Sequence, residues 1–152
     1  MTNHKHIEET DLINLISDRH HDLRQKVECM TAQQLPQVHF GSSEWYLIMI
    51  IKYDQPTFAE LTHKINLTRQ AIHKAVKQLE QKQVVQIESV PNNKKEKRVT
   101  LTEFGIMCYE KYIKNKQHII EHIGQVIGAS EVAHLEQLLQ ADWQLENDKP
   151  DE

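Results

Sequence analysis

The segment from Thr68 to Val85, TRQAIHKAVKQLEQKQVV, restricts the fold more than any other stretch of the chain. Ile72, Ala75, Val76 and Leu79 recur at i, i+3, i+4 and i+7, the spacing of one face of an α-helix. Thr68 stands where an N-cap hydroxyl accepts from an otherwise orphan N–H. The opposite face carries Arg69, Gln70, His73, Lys74 and Lys77, with no acid before Glu80. A helix that is apolar on one side and lined with Arg, Gln, His and Lys on the other has the shape that fits a DNA major groove. A solvated surface helix would show the same pattern, so the neighbouring segments have to discriminate.

Upstream, Thr57-Phe58-Ala59-Glu60 is a capping box, with Thr at the cap and Glu at the third helical position. It predicts a short helix whose apolar face is Phe58, Leu61 and Ile65, followed by a break at Asn66 and Leu67. Two short helices joined by a few residues, the second basic, form the helix-turn-helix pattern. Downstream the period changes to that of a strand. Val85, Ile87 and Ser89 alternate with Gln86 and Glu88, and Val99 and Leu101 flank Thr100. Between them Pro91, Asn92 and Asn93 supply turn chemistry, followed by Lys94, Lys95, Lys97 and Arg98. The segment reads as a β-hairpin with a basic tip, a wing. A solubilising loop would also be basic, but a place directly after the basic helix favours the nucleic-acid reading.

Charge distribution supports this. The chain has a net charge of −4, yet Lys64–Arg98 holds nine Lys or Arg against Glu80, Glu88 and Glu96. A basic segment within an otherwise acidic chain is the electrostatic footprint of a nucleic-acid binder, and the acidic remainder repels phosphate and restricts docking to one face.

The rest of the 152 residues reads as helical, with only four glycines and four prolines. A first helix is predicted from Ile7 to Met30, with an apolar stripe of Leu12, Ile13, Leu15, Ile16, Leu23 and Val27. Pro36 and Gly41 mark a loop. Ser42 or Ser43 then caps a buried helix, EWYLIMIIKYD, which ends in a turn at Asp54, Gln55 and Pro56. Thr102 caps a long helix from Glu103 to Ile127, with apolar positions Phe104, Met107, Ile113, Ile120, Ile123 and Ile127. Gly128 and Ala129 break it. Ser130 caps a last helix bearing Val132, Leu135, Leu138, Leu139 and Trp143.

The expected fold class is mainly α (α+β), a winged helix-turn-helix with N- and C-terminal dimerisation helices. Residues 1–40 would hold the N-terminal helix and loop, 41–101 the winged domain, 102–147 the C-terminal dimerisation helices and 148–152 a frayed tail. Three apolar-striped helices exceed what one small winged domain needs to cover its own core, and a symmetric homodimer buries such surplus. Two copies would read half-sites about 34 Å apart.

Other classes find less support. The N-terminus lacks the apolar run of a signal peptide. The longest apolar run, Leu47–Ile51, is too short to span a bilayer. Two cysteines, Cys29 and Cys108, suit a reducing cytoplasm. No phosphate-binding glycine loop, nucleophile elbow or H-E-x-x-H appears, so neither catalysis nor a cofactor is expected. His118 and His122 stand at i, i+4, a spacing that lets two imidazoles share a metal. No further ligand is placed beside them, and His134, His4 and His6 add little.

INLTRQAIHKAVKQLEQKQVV resembles the recognition-helix segment of the MarR family of bacterial transcriptional regulators. NNKKEKRVTLTEFG resembles that family's wing together with the LT-x-x-G that opens its long dimerisation helix. The order of elements matches from about residue 7 to 145. The resemblance implies an obligate dimer that usually represses by occupying a pseudo-palindromic operator on double-stranded DNA. It implies that Thr68 caps the helix and touches a phosphate, that Arg69, Gln70, His73 and Lys74 face base edges and that Lys77 meets the backbone. The wing tip around Lys94 and Lys95, with Asn93 and Lys97 beside it, would reach the adjacent minor groove.

Three positions depart from the family pattern. Asn93 and Lys95 replace the Asp and Arg of the usual wing. Asn93 lacks the charge for their pair and Lys95 lacks the planar fork, so a looser, less discriminating wing is expected. Gln83 stands where the family often has Gly. Many members release DNA on binding an aromatic anion. Trp45, Tyr46, His20, His21 and His39 are candidates to line such a pocket, although Trp45 and Tyr46 also read as ordinary core aromatics. Cys108 reads as inert packing, and Cys29 lies at the wrong end of its helix for the oxidant-sensing relatives. Two alternatives stay open: a winged-helix module for protein contacts without a DNA target, and a metal-responsive DNA-binding regulator using His118 and His122.

Overall fold

The computed structural model describes residues 10–147. The expected helix start at Ile7, the histidines His4 and His6 and the tail 148–152 lie outside them. The chain divides into two compact units, with the boundary between Asn115 and Lys116.

The first unit contains α1 (Leu12–Gln34), α2 (Ser42–Asp54), α3 (Phe58–Lys64), α4 (Arg69–Gln81), the hairpin β1 (Val85–Val90) and β2 (Asn93–Leu101), and the first part of α5 (Glu103–Ile127). Asp11 caps α1 by accepting from the Asn14 N–H at 2.8 Å. The helix continues past Met30 to Gln34. Of its expected stripe only Val27 is buried, while Leu12 and Ile13 are 61% and 77% exposed. The stripe therefore does not close on this chain's own core.

Gly41, not a serine, is the N-cap of α2; Ser42 is already helical. Glu44 turns back to accept from the Gly41 N–H at 3.2 Å, the half of a capping box that needs no hydroxyl at the cap. Trp45, Leu47, Ile48, Ile50 and Ile51 are buried, as the dense apolar content predicts. Asp54 is the last helical residue and Gln55 ends the helix at φ 44°. The capping box of α3 is formed in full: Thr57 Oγ1 accepts from the Glu60 N–H and Glu60 Oε2 accepts from the Thr57 N–H, each at 3.2 Å. Leu61 is buried, whereas Phe58 and Ile65 are half-buried.

Ile72, Val76 and Leu79 of α4 are at most 1% exposed, as are Ile48, Ile51, Leu61, Val84 and Val99. The helix ends in a Schellman motif: the Gln83 N–H donates to Glu80 O at 2.9 Å and the Val84 N–H to Leu79 O at 3.2 Å. Gln83 sits at φ 63°, where a side chain costs about 1 kcal/mol that glycine avoids. Gln83→Gly is accordingly expected to raise the unfolding free energy by about 0.5–1 kcal/mol, read by urea titration; a loss of stability would show that the glutamine side chain contributes to the fold.

β1 and β2 pair antiparallel from Val85↔Leu101 to Ser89↔Lys97, with an irregularity before Val90↔Asn93. Asn93 thus belongs to the strand, and the turn is Pro91–Asn92, with Asn92 at φ 68°. The base of the wing is tied to the α2–α3 turn. The Val99 N–H donates to Pro56 O at 2.9 Å, Thr57 bridges Arg98, and the Arg98 guanidinium donates to Gln55 O at 2.8 Å.

Thr102 joins three elements. Its hydroxyl accepts from the Gly105 N–H at 3.0 Å and donates to Gln83 O at 2.6 Å, and its own N–H donates to Val84 O at 3.0 Å. α5 has the predicted limits, but its core-facing side is Gly105, Cys108, Tyr109, Tyr112 and Asn115. The predicted isoleucine stripe lies elsewhere: Ile113 and Ile123 are half-buried, while Ile120 and Ile127 are exposed. Trp45 decides which face turns in, because its indole stacks on Tyr112 with centroids 4.3 Å apart. Beside it Asn115 donates to Thr31 Oγ1 at 2.9 Å and to Gln34 Oε1 at 3.1 Å.

The second unit is the remainder of α5 with α6 (Ala129–Gln140) and a 3-10 turn at Leu145–Asn147. Gly128, at φ 108°, is the N-cap of α6. Ser130 therefore lies inside the helix, because only glycine takes that backbone angle without strain. α6 buries none of its residues, and Leu135, Leu138 and Leu139 are each about half exposed. Trp143 lies past the helix end, its Nε1–H donating to Leu138 O at 2.9 Å. Among the described residues no helix is long and apolar enough to cross a membrane.

Candidate nucleic-acid interface

With Ile72, Val76 and Leu79 fixed in the core, the helical period turns Arg69, Gln70, His73, Lys74 and Lys77 outward, and all five are exposed. Thr68 Oγ1 accepts from the Ala71 N–H at 3.1 Å, capping α4 as predicted. Lys77 pairs with Glu80 at 3.2 Å, with both side chains well exposed; such a surface pair is worth a few tenths of a kcal/mol. The His73 ring lies flat on Phe58 of α3, centroids 4.3 Å apart and planes 6° from parallel.

On the wing, Lys94 and Lys95 are exposed. Lys97 is exposed too, its ammonium donating to Ser89 Oγ at 2.9 Å. Asn93 makes no charged pair, but its Oδ1 accepts from the Lys95 N–H at 3.2 Å and its amide donates to Glu96 at 3.4 Å. The tip is thus held by local hydrogen bonds in place of an Asp–Arg pair.

Not every cation of the basic window faces outward. Lys82 donates to both Glu44 oxygens at 2.7 and 2.8 Å and to His39 O at 2.6 Å. Its ammonium also lies 5.3 Å from the Phe40 ring centroid. Lys82 therefore anchors the end of α4 to the α1–α2 loop and the start of α2. Lys64 pairs with Asp54, and Arg98 serves the base of the wing. Sequence reading missed these roles, because Lys82 and Glu44 stand 38 residues apart and no local pattern links them.

The candidate effector residues do not converge. Trp45 is 2% exposed, held between Phe40 and Tyr112 in the core. Tyr46, His20 and His21 are exposed. A depression of about 650 Å³ is lined by Gln37, Val38, His39, Gln81, Lys82, Gln83 and Phe104; of the candidates it includes only His39. His118 and His122 are both exposed, and among the described residues no three His, Cys, Asp or Glu side chains gather. Cys108 is buried, and that burial pushes its thiol pKa up, which leaves it less reactive.

Comparison with known proteins bears on this geometry. A family described as a winged helix DNA-binding domain matches residues 40–105. Comparison with curated protein sequences gives no match. The transcriptional regulator Tm0710 from Thermotoga maritima is 16% identical, with 83% of this chain and 89% of that one covered and a TM-score of 0.59. A mutant MarR from E. coli, solved with operator DNA, is 24% identical over 86% of this chain and 97% of its own, with a TM-score of 0.59. A mutant MepR from S. aureus, bound to an oligodeoxyribonucleotide, is 16% identical over 86% and 94%, with a TM-score of 0.59. Residues 40–105 thus match a winged helix DNA-binding domain, and the chain has the fold of the solved MarR, MepR and Tm0710 structures.

Proposed function

We propose that the protein is a MarR-family transcriptional regulator: a homodimer that binds a pseudo-palindromic operator and represses by occupying it. The observation that carries the reading is the exposed row Arg69, Gln70, His73 and Lys74 on a helix whose other side is locked in the core. Arg69 has the fork for guanine O6 and N7, and Gln70 has the paired donor and acceptor for adenine. The Thr68 hydroxyl already accepts from Ala71, so its proton is available to a phosphate oxygen. Lys77 and the wing residues Asn93, Lys94, Lys95 and Lys97 supply backbone and minor-groove contacts.

Dimerisation is supported by apolar side chains that the single chain leaves in solvent. Leu12, Ile13 and Leu15 of α1, Leu135, Leu138 and Leu139 of α6 and Trp143 beyond it are each 45–77% exposed, apolar surface that a second copy would cover. Release by a small aromatic effector belongs to the same proposal, as does action in the cytoplasm, where both cysteines stay reduced.

Selection of bound duplexes from a random pool tests the reading. The expected product is a two-fold-symmetric site with half-sites about one helical turn apart; recovery of no enriched sequence defeats it. Lys95→Ala is expected to weaken binding to all duplexes alike and to lower the slope of log K against log salt by about 1. A loss confined to one sequence would assign Lys95 to base readout instead.

A further inference from the structure

Among the described residues, His73 is the side chain on the exposed row of α4 that leans on an aromatic ring from another element. Its imidazole lies 4.3 Å from Phe58, 6° from parallel. A stack this flat holds the plane of the imidazole while leaving its nitrogen-bearing edge open. An imidazole reads a base edge through a single ring nitrogen, as donor or acceptor according to its tautomer, so the direction of that edge decides which base it accepts.

Phe58 is itself firmly placed. It is the first residue of α3, directly after Thr57, whose capping box is complete. Its carbonyl accepts from the Thr62 hydroxyl at 2.9 Å. Thr57 is bridged to Arg98 of β2, and Arg98 also holds Gln55 O. The backbone that carries the ring under His73 is thereby tied to the base of the wing as well as to α3. Phe58 is half-buried, whereas Leu61, on the next turn of α3, is fully buried.

We propose that Phe58 is a positioning residue for sequence discrimination: it holds the His73 imidazole in the orientation that reads one base pair of each half-site. The proposal rests on the DNA-regulator reading above and adds a residue that does not itself touch DNA. Holding the ring in the free protein removes the ordering cost that a mobile side chain incurs on binding, on the order of two- to tenfold in affinity for one side chain. That gain falls only on the duplex whose base matches the held edge.

The test measures the affinity of Phe58→Leu, Phe58→Tyr and His73→Ala for the selected operator and for each single-base variant of its half-site, with thermal unfolding followed alongside. His73→Ala is expected to flatten the preference at one base pair. Phe58→Leu should flatten the same position by about two- to tenfold, keep its affinity for random duplex, and add nothing when combined with His73→Ala. Phe58→Tyr retains the ring and should retain the preference. The proposal is overturned if Phe58→Leu lowers affinity for every duplex equally, as simple damage to α3 would, or if it alters a different base pair from His73→Ala. It is also overturned if His73→Ala alters no base preference while Arg69→Ala does, in which case the regulator reading stands. If wild-type protein shows no preferred sequence, both fail together.

Discussion

Gly105→Ala is expected to destabilise the fold by about 3 kcal/mol or more, the range reserved for backbone-level clashes. A Cβ at this position would overlap the Val84 carbonyl oxygen and stand 2.9 Å from the carbonyl carbon and 3.2 Å from the Val84 Cα. These are main-chain atoms and cannot rotate aside. The same carbonyl accepts from the Thr102 N–H, and Val84 is the final residue of the Schellman cap, so relief in any direction breaks a hydrogen bond. Gly124, on the same helix, is the control. A Cβ there meets nothing nearer than 3.8 Å, and Gly124→Ala should raise stability by roughly 0.5–1 kcal/mol through helix propensity. Urea titration of the two variants reads both effects; a Gly105→Ala protein as stable as wild type would mean that Val84 and the first turn of α5 do not approach so closely.

Arg69→Ala is expected to lower operator affinity by about 1–3 kcal/mol, roughly ten- to hundredfold, through loss of a bidentate base contact. Arg69 is exposed in the first turn of α4, so its removal leaves no buried group unpaired and should leave the melting temperature unchanged. Arg69→Lys should recover little of the loss, since an ammonium is a point charge and does not match two acceptors at once. Gel-shift titrations with operator and scrambled duplex separate the contributions. Equal loss on both duplexes would assign Arg69 to phosphate contact, and unchanged operator affinity would remove it from the interface.

Much of the candidate interface was legible in the chain because it rests on short-range rules. The face of α4 follows from spacing over three turns, the capping box of α3 from four consecutive residues, and the wing from a change of period at Val85. Where the reading went astray, the deciding contact was distant or several local choices were nearly equivalent. α5 has two apolar sides, and periodicity alone does not say that Cys108, Tyr112 and Asn115 go in while the isoleucines are left half-buried or exposed; Trp45, far away in sequence, settles it. Gly41, Ser42 and Ser43 are all acceptable N-caps, and the reach of the Glu44 carboxylate selects the first. Lys82 counted toward the basic surface until its pairing with Glu44 turned it inward. The identity of Trp45 as a core aromatic, likewise, depends on Tyr112 arriving from α5.

The Thr102 junction has a mechanical consequence. One hydroxyl closes the first turn of α5 and grips the residue that ends α4, and a glycine lets the chain between them pass at bare backbone distance. The end of α4 and the head of α5 are therefore welded into one rigid corner. A change in the angle between these two helices cannot be made at this weld without breaking a backbone contact.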